Sequence, residues 1–281
     1  MKNKKVIIIG SGCSGLTSAI YLSRANIDVT LFTGYSYGAL ENTPVIENFP
    51  GFPNPISGYE LLDLMSQQVA ENDVNIIEES IEKIDSRLNT VYSDSGKSYQ
   101  YDALIVATGT KHRSIPIKNE KNVHYCAICD GTLYKNQEVC VIGGGNTALT
   151  DAIYLSNICK KVTIIIRRDV FRADKCLVDK VENTDNICII KNNQIKECVG
   201  EKELSHIILM DDTKIDAKAV FMAIGFDKND GLLIDDLGQD YVLPDNIKIC
   251  GDLKEDRHQA VIACASGAKV ALDIIDEFNK E

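Results

Sequence analysis

In the stretch "HYCAICDG", Cys126 and Cys129 are separated by two residues, and Asp130 directly follows the second. Sulfur pairs at this spacing can clamp a metal, staple a fold, or cycle between disulfide and dithiol. A zinc site needs four ligands, and the chain offers no second Cys-x-x-Cys and no histidine pair. His112, His124, His206 and His258 are scattered. This argues against a metal and leaves a structural pair or a redox dithiol. The short spacing keeps two sulfurs in bonding range and lowers a thiol pKa, so a thiolate is available near neutral pH. Asp130 is then a candidate acid and base for a departing thiolate, or merely a helix cap. The other eight cysteines, Cys13, Cys140, Cys159, Cys176, Cys188, Cys198, Cys250 and Cys264, mostly sit in apolar strands or helices and read as small core residues.

The elements that must position such a pair are legible on both sides of it. The chain begins "KKVIIIGSGCSGLTSAIYLSRANIDVTLFTG". The apolar run Val6 to Ile9 suits a strand buried on both faces, and Gly10, Gly12 and Gly15 give a G-x-G-x-x-G turn into a helix. Such glycines allow a tight turn, let a pyrophosphate approach the backbone and pack helix against sheet, while the helix N-terminus meets the negative charge. A second strand follows at Val29 to Phe32, where Thr33 and Gly34 stand in place of the acid that often contacts a ribose. The pattern repeats in "QEVCVIGGGNTALTDAIYLSNICKKVTIIIRRDVFRA", with a strand at Val139 to Ile142, then Gly143, Gly145 and Ala148, then a strand at Val162 to Ile166. Arg167, Arg168 and Arg172 follow, and arginine's planar fork matches a phosphate where an acid would repel it. This second dinucleotide fold therefore favours NADPH over NADH, against the plainer reading of a solvated basic face.

Two further strand ends carry small or acidic residues. "YDALIVATGT" is a buried strand from Ala103 to Val106 ending in Ala107, Thr108 and Gly109. "NIKICGDL" ends in Gly251 and Asp252, whose carboxylate could bond a ligand hydroxyl or cap the helix that follows. That helix has apolar residues at helical spacing, including Val261, Cys264, Ala268, Leu272, Ile275 and Phe278.

Composition bounds the remaining choices. The chain has 281 residues, 44% of them hydrophobic and 25% charged, which is ordinary for a globular protein of about two domains. No apolar run approaches the roughly 18 to 20 residues that span a bilayer. The start, Met1 to Gly10, runs from a few basic residues straight into a strand and lacks a signal peptide's apolar stretch, so a cytoplasmic location is expected. There, ten cysteines are expected to be mostly thiols, and a persistent disulfide points to catalysis before structure. A net charge of −11 with no long basic run argues against a nucleic-acid partner.

Taken together, the first G-x-G-x-x-G, the "ATG" strand end, Cys126 to Gly131, "GGGNTA" with its following "RRDVFRA", and the late Gly-Asp before Gln259 and Ala260 resemble the low-molecular-weight, bacterial-type thioredoxin reductases. "VIENFPGFPNPISGYELL", Val45 to Leu62, is similar to that family's flavin-domain signature, and the resemblance covers essentially the whole chain. It implies an α/β protein of two Rossmann-like domains, the second inserted into the first. A discontinuous FAD domain would comprise residues 1–113 and 232–281, and residues 114–231 would form the NADPH and redox-disulfide domain.

Carried over by position, Gly10, Gly12, Gly15, Asn48, Thr108, Gly109, Asp252, Gln259 and Ala260 would lie against FAD, and Gly143, Gly145, Ala148, Arg167, Arg168 and Arg172 against NADPH. Electrons would pass from NADPH through FAD to the Cys126–Cys129 disulfide and on to thioredoxin or a thioredoxin-like protein, with Asp130 managing the proton. The resemblance further implies a homodimer, Cys129 as the sulfur nearer the flavin, and hinges near Lys111 to Pro116 and Lys228 to Gly238.

Some positions depart from the family pattern. Gly38, Ala39 and Leu40 replace a longer Gly-Gly-Gln-Leu, Ile166 and His258 replace a histidine and an arginine, and Phe226 and Asp227 follow "AIG". A flavoprotein with the same dithiol but another partner is the alternative: ferredoxin as donor, a peroxidase or glutaredoxin-like protein as acceptor, or oxygen in a dithiol oxidase. A non-catalytic nucleotide sensor would have no need of Cys126, Cys129 and Asp130 together.

Overall fold

The computed structural model describes residues 4–35, 38–41, 43 and 46–280; Val45, which opens the flavin-type signature, and residues 1–3 of the basic start lie outside them. The chain divides into two compact units, Met1–Lys111 with Lys228–Glu281, and His112–Asp227. Within the first, β1 (Lys5–Ile9), α1 (Cys13–Arg24), β2 (Asp28–Phe32), β3 (Asn75–Ile77) and β4 (Ala103–Val106) follow in order. The second holds β5 (Val123–His124), α2 (Ala127–Asp130), β6 (Glu138–Ile142), α3 (Asn146–Ser156), β7 (Lys161–Ile165), β8 (Ile187–Ile190) and β9 (Ala219–Met222). The chain then returns to the first unit for β10 (Ile247–Ile249) and α4 (Ala260–Lys280).

Each unit is centred on a five-stranded parallel sheet. The first runs β10-β4-β1-β2-β3 and the second β8-β7-β6-β9-β5. The uninterrupted apolar strands follow from what covers the two faces. In β1, Val6 and Ile8 point into a core shared with α1 and α4, while Ile7 and Ile9 point into a second core. That second core includes Ile81, Ile84 and Val91 from an antiparallel meander of Ile81–Asp85, Thr90–Ser93 and Ser98–Gln100. The second unit repeats the plan. Val139 and Val141 of β6 face α3, whereas Cys140 and Ile142 face a core that includes Ile195, Cys198, Ile207 and Leu209 of a meander built from Ile195–Val199, His206–Leu209 and Lys214–Asp216. With period-two side chains and both faces dry, every strand position gains from being apolar, at about 1.5–3 kcal/mol for each large side chain buried.

The first unit is closed by α1 lying against α4, and here the structure corrects the expected apolar stripe. The buried face of α4 is Ala263, Ser266, Gly267, Val270, Ala271 and Ile274, whereas Val261 and Leu272 are exposed. Cys264, Ile275 and Phe278 only flank the core. The cause is closeness of approach. A Cβ on Gly267 would collide with the Ser14 carbonyl oxygen, and the Ser18 hydroxyl donates to the Gly267 carbonyl at 3.0 Å. Small residues thus mark the contact, and the larger apolar ones fall to its sides.

Where the chain passes between units, Thr110–His112 pairs with Phe226–Lys228 as a two-stranded ribbon. Most of the segment from Lys228 to Gly238 is a short helix, Gly231–Leu237, with Leu233 fully buried in the first unit's core. Among the described residues, no helix is long and apolar enough to cross a membrane.

The close helix contact makes Gly267→Val a sharp stability test. Overpacking there should lower the unfolding free energy by about 1–3 kcal/mol, while Val261→Ala on the exposed side should leave it within about 0.5 kcal/mol. Urea unfolding of both variants checks this.

Candidate functional site

Cys126 and Cys129 form a disulfide with their Cα atoms 5.3 Å apart. Cys126 is the extended residue capping the single helical turn α2, and its sulfur accepts the Cys129 amide N–H at 3.2 Å. That donor would favour a thiolate on Cys126 once the bond is opened. Both cysteines are half-buried, with Ile128 between them exposed. The turn is held down by Gly131, because a Cβ there would lie 2.7 Å from Leu155 Cδ2 on α3. The glycine after Asp130 therefore lets the redox turn pack on the helix that follows the second glycine motif. Among the described residues no cluster of His, Cys, Asp or Glu could hold a metal.

Asp130 is not a cap through its side chain. It closes α2 and precedes the 3₁₀ turn Gly131–Tyr134, and its carboxylate does not bond to a helix amide there. Instead its Oδ2 lies 2.8 Å from Nδ1 of His124, whose Nε2 lies 2.7 Å from the Tyr134 hydroxyl. The imidazole stacks on Phe221 at 5.4 Å and meets the Tyr134 ring edge-on at 5.2 Å. Burial pushes the Tyr134 phenol pKa up, and the Asp130 carboxylate adds to the shift. His124, one of four scattered histidines in the sequence, is thus brought to the dithiol turn by β5. Neither it nor Tyr134 carries a sequence signal beyond nearness to the cysteines.

In the first unit, Gly10, Thr108, Gly109 and Asp252 lie at the ends of the adjacent parallel strands β1, β4 and β10, on the sheet edge where α/β folds bind ligands. Gly10 has φ +107, and a Cβ there would sit 2.6 Å from the Ala107 carbonyl oxygen. A Cβ on Gly15 would strike the Gly10 carbonyl, whereas Gly12, which begins α1 without a side-chain cap, has nothing within 4 Å. Thr108 is tied to Asn229, its hydroxyl donating to the Asn229 carbonyl at 2.6 Å and its carbonyl accepting from the Asn229 amide at 3.2 Å. Asn48 donates to the Gln259 side chain at 3.2 Å, next to Ala260 at the start of α4. Asp252 does not cap that helix, which begins only at Ala260. It stands in a separate turn, Gly251–Leu253, where burial raises its carboxyl pKa and His258 partly offsets the rise.

The second unit repeats this geometry. Gly143 has φ +143, and a Cβ there would strike the Ala223 carbonyl and lie 3.0 Å from the Ala148 side chain. Gly145 begins α3 uncapped with nothing within 4 Å. The arginine loop is folded against this turn, since the Arg172 amide donates to the Gly144 carbonyl at 2.7 Å and Asn146 clasps Asp174 through two hydrogen bonds of 2.9 and 2.8 Å. The Arg167, Arg168 and Arg172 side chains are exposed and make no ion pair among the described residues. An uncapped helix start beneath open space, with three unpaired cations beside it, suits an anionic dinucleotide.

Of the other cysteines, Cys13, Cys140, Cys159, Cys198 and Cys250 are buried as expected, whereas Cys176 and Cys188 are exposed. Cys264 packs beside Cys13 of the first glycine turn, and the influence of that neighbour lowers its thiol pKa to about 7 while raising that of Cys13.

A family model for pyridine nucleotide-disulphide oxidoreductases matches residues 4–249. The chain is 33% identical over 305 aligned positions to the thioredoxin reductase of Rickettsia typhi, with 98% of each chain covered. It is 40% identical to that of Escherichia coli O157:H7, covering 81% of this chain and 76% of the relative. The solved thioredoxin reductase from Giardia duodenalis superposes with a TM-score of 0.89 at 32% identity, over 99% of this chain and 100% of that one. The family model's match to residues 4–249, with a relative 33% identical over 98% of both chains and an oxidised Cys-x-x-Cys turn in the second unit, places the chain in the pyridine nucleotide-disulphide oxidoreductase family.

Proposed function

We propose that this chain is a flavoprotein thioredoxin reductase, carrying electrons from NADPH through FAD and the Cys126–Cys129 disulfide to the disulfide of thioredoxin or a thioredoxin-like protein. The observation that carries the reading is the disulfide itself, formed on a turn that packs against the helix of the second glycine motif. The first glycine turn, with Thr108, Gly109 and Asp252 at the ends of neighbouring strands and the Asn48–Gln259 pair beside Ala260 at the start of α4, suits FAD. The second, with Gly143, Gly145, Ala148 and the three arginines, suits NADPH. A homodimer in the cytoplasm completes the proposal.

Bound flavin and nicotinamide supply a hydride acceptor and donor, and so an electron pair for the disulfide. The protein's own part is thiol chemistry. Opening the disulfide leaves two cysteines that share one turn, with an amide N–H aimed at Cys126 to hold negative charge on its sulfur. A thiolate of the pair attacks one sulfur of the acceptor disulfide, forming a mixed disulfide and expelling the other sulfur as a thiolate. The second cysteine then attacks the mixed disulfide, restoring Cys126–Cys129 and releasing the reduced acceptor. Asp130, on the same turn, exchanges the protons.

An anaerobic titration tests the reading. NADPH at low concentration should bleach a bound flavin, and added thioredoxin should restore its colour. A flavin that ignores NADPH and NADH but yields to reduced ferredoxin would overturn it.

In Cys129→Ser, NADPH should still reduce the flavin while disulfide turnover falls by roughly 10³-fold or more; retained turnover would contradict the proposed route. Arg168→Ala should raise the KM for NADPH by about 10- to 100-fold, the loss of one charge-assisted phosphate contact. NADH kinetics should barely change, and parallel assays with the two nucleotides decide it.

A further inference from the structure

We propose that His124 is a positioning residue for Asp130, and that the two side chains together hold the proton exchanged with the Cys126/Cys129 pair. The inference rests on the reading of that pair as redox-active, and it assigns a role to a histidine outside the Cys-x-x-Cys-Asp motif.

Three observations carry it. First, Asp130, His124 and Tyr134 form one continuous row, with contacts of 2.8 and 2.7 Å at the two imidazole nitrogens. Second, the row is largely buried and packed against aromatic rings. The His124 and Asp130 side chains are 15% and 11% exposed, and the imidazole is fixed between the faces and edges of Phe221 and Tyr134. Third, only one carboxylate oxygen of Asp130 is occupied. Oδ1 is buried with no hydrogen-bond partner among the described residues. A buried carboxylate oxygen left without a donor is costly, so a structural role alone would be better served by a second donor or by an amide. A group that must take up and return a proton needs that free oxygen.

The chain path explains why these groups meet. β5 delivers His124, the chain turns through Cys126 into α2, and the 3₁₀ turn after Asp130 brings Tyr134 back beside β5. The dithiol is therefore enclosed in sequence by the three polar residues of the row. The Asp130 amide donates to the Cys126 carbonyl at 3.1 Å, tying the carboxylate to the turn that carries both sulfurs.

With Asp130 ionised and His124 neutral, Nδ1–H donates to Oδ2 and Nε2 accepts from the Tyr134 hydroxyl. One added proton converts the pair to carboxylate and imidazolium, or to carboxylic acid and imidazole, and Tyr134 can serve either state because its hydroxyl both donates and accepts. The groups facing the imidazole are Asp130, Tyr134 and the apolar Phe221, and beyond them Asn122 and Glu203 act on Tyr134.

The reaction starts with one cysteine as thiolate, the other as thiol, and one proton on the Asp130–His124 pair. Attack of the thiolate on the acceptor disulfide forms one S–S bond and breaks another, and the departing acceptor thiolate takes the pair's proton. As the remaining thiol attacks the mixed disulfide, its proton passes to the pair and then to the second acceptor sulfur. Two electrons and two protons leave the dithiol and its proton store, and both appear on the acceptor.

The test uses the full-length holoprotein with His124→Gln, Asp130→Asn, the double variant and Tyr134→Phe. His124→Gln should leave flavin reduction by NADPH unchanged, lower kcat/KM for the thioredoxin disulfide about 10- to 100-fold, and remove an inflection from its pH profile. The double variant should be no slower than Asp130→Asn, since the two act as one unit. Tyr134→Phe, which keeps the ring, should shift the inflection. A wild-type rate and pH profile in His124→Gln would overturn the proposal, as would additive losses in the double variant.

The second arm needs neither flavin turnover nor an acceptor. Reduced protein is alkylated with iodoacetamide across pH, and the peptide bearing Cys126 and Cys129 is followed by mass spectrometry. The midpoint should differ between wild type and both single variants; superimposable curves would overturn the proposal. If wild type fails to reduce thioredoxin, the functional reading fails, while the alkylation curves still decide the role of His124.

Discussion

Both halves of this chain depend on a place where backbone meets backbone with no room for a side chain. At Gly10 a Cβ would lie 2.6 Å from the Ala107 carbonyl, and at Gly143 the same atom would strike Ala223. In each case the strand end leading into the turn abuts the end of the neighbouring strand, which closes with Ala107, Thr108 and Gly109 in one unit and Ala223, Ile224 and Gly225 in the other. The positive φ of both glycines turns the chain sharply over that neighbour, so the following helix begins directly above the sheet edge. Four features then follow from one steric constraint: a tight turn, an uncapped helix start, a small residue packed beneath it, and open space above the middle glycine.

The redox turn rests on the same kind of constraint. Gly131 allows the Cys126–Cys129 segment to lie on α3, which itself begins at the second glycine turn. The sulfur pair is thus fixed relative to one nucleotide-type turn by a rigid helix of the same unit. A one-turn helix cannot bury much surface, and its geometry is supplied by neighbours: the Cys129 amide on Cys126, Gly131 against Leu155, and Asp130 held by His124.

Polar groups are spent sparingly around that turn. His124, Asp130 and Tyr134 hydrogen-bond one another beside Phe221, and Oδ1 of Asp130, the residue next to Cys129, is buried without a hydrogen-bond partner among the described residues. Hydrogen bonding at both imidazole nitrogens ties the three side chains into one network. By contrast, the arginines beside the second glycine turn are exposed and form no ion pair among the described residues, as suits groups that meet a ligand from solvent.

Much of this was legible in the sequence because local rules determine it. Val6 to Ile9 and Val139 to Ile142 read as doubly buried strands, their glycine spacings as turns into helices, and the Cys-x-x-Cys spacing keeps two sulfurs within bonding range. Tertiary structure alone decided which face of α4 is buried, because closeness to Ser14 and Ser18 selects Gly267 and its small neighbours over the larger Val261 and Leu272. It also separated Asp252 from the helix it was expected to cap, left Cys176 and Cys188 in solvent, and joined a histidine with no motif of its own to Asp130. Periodicity and spacing report what each residue prefers along the chain. Which partner it meets depends on how strands and turns stack, and that is set by non-local contacts the sequence does not spell out.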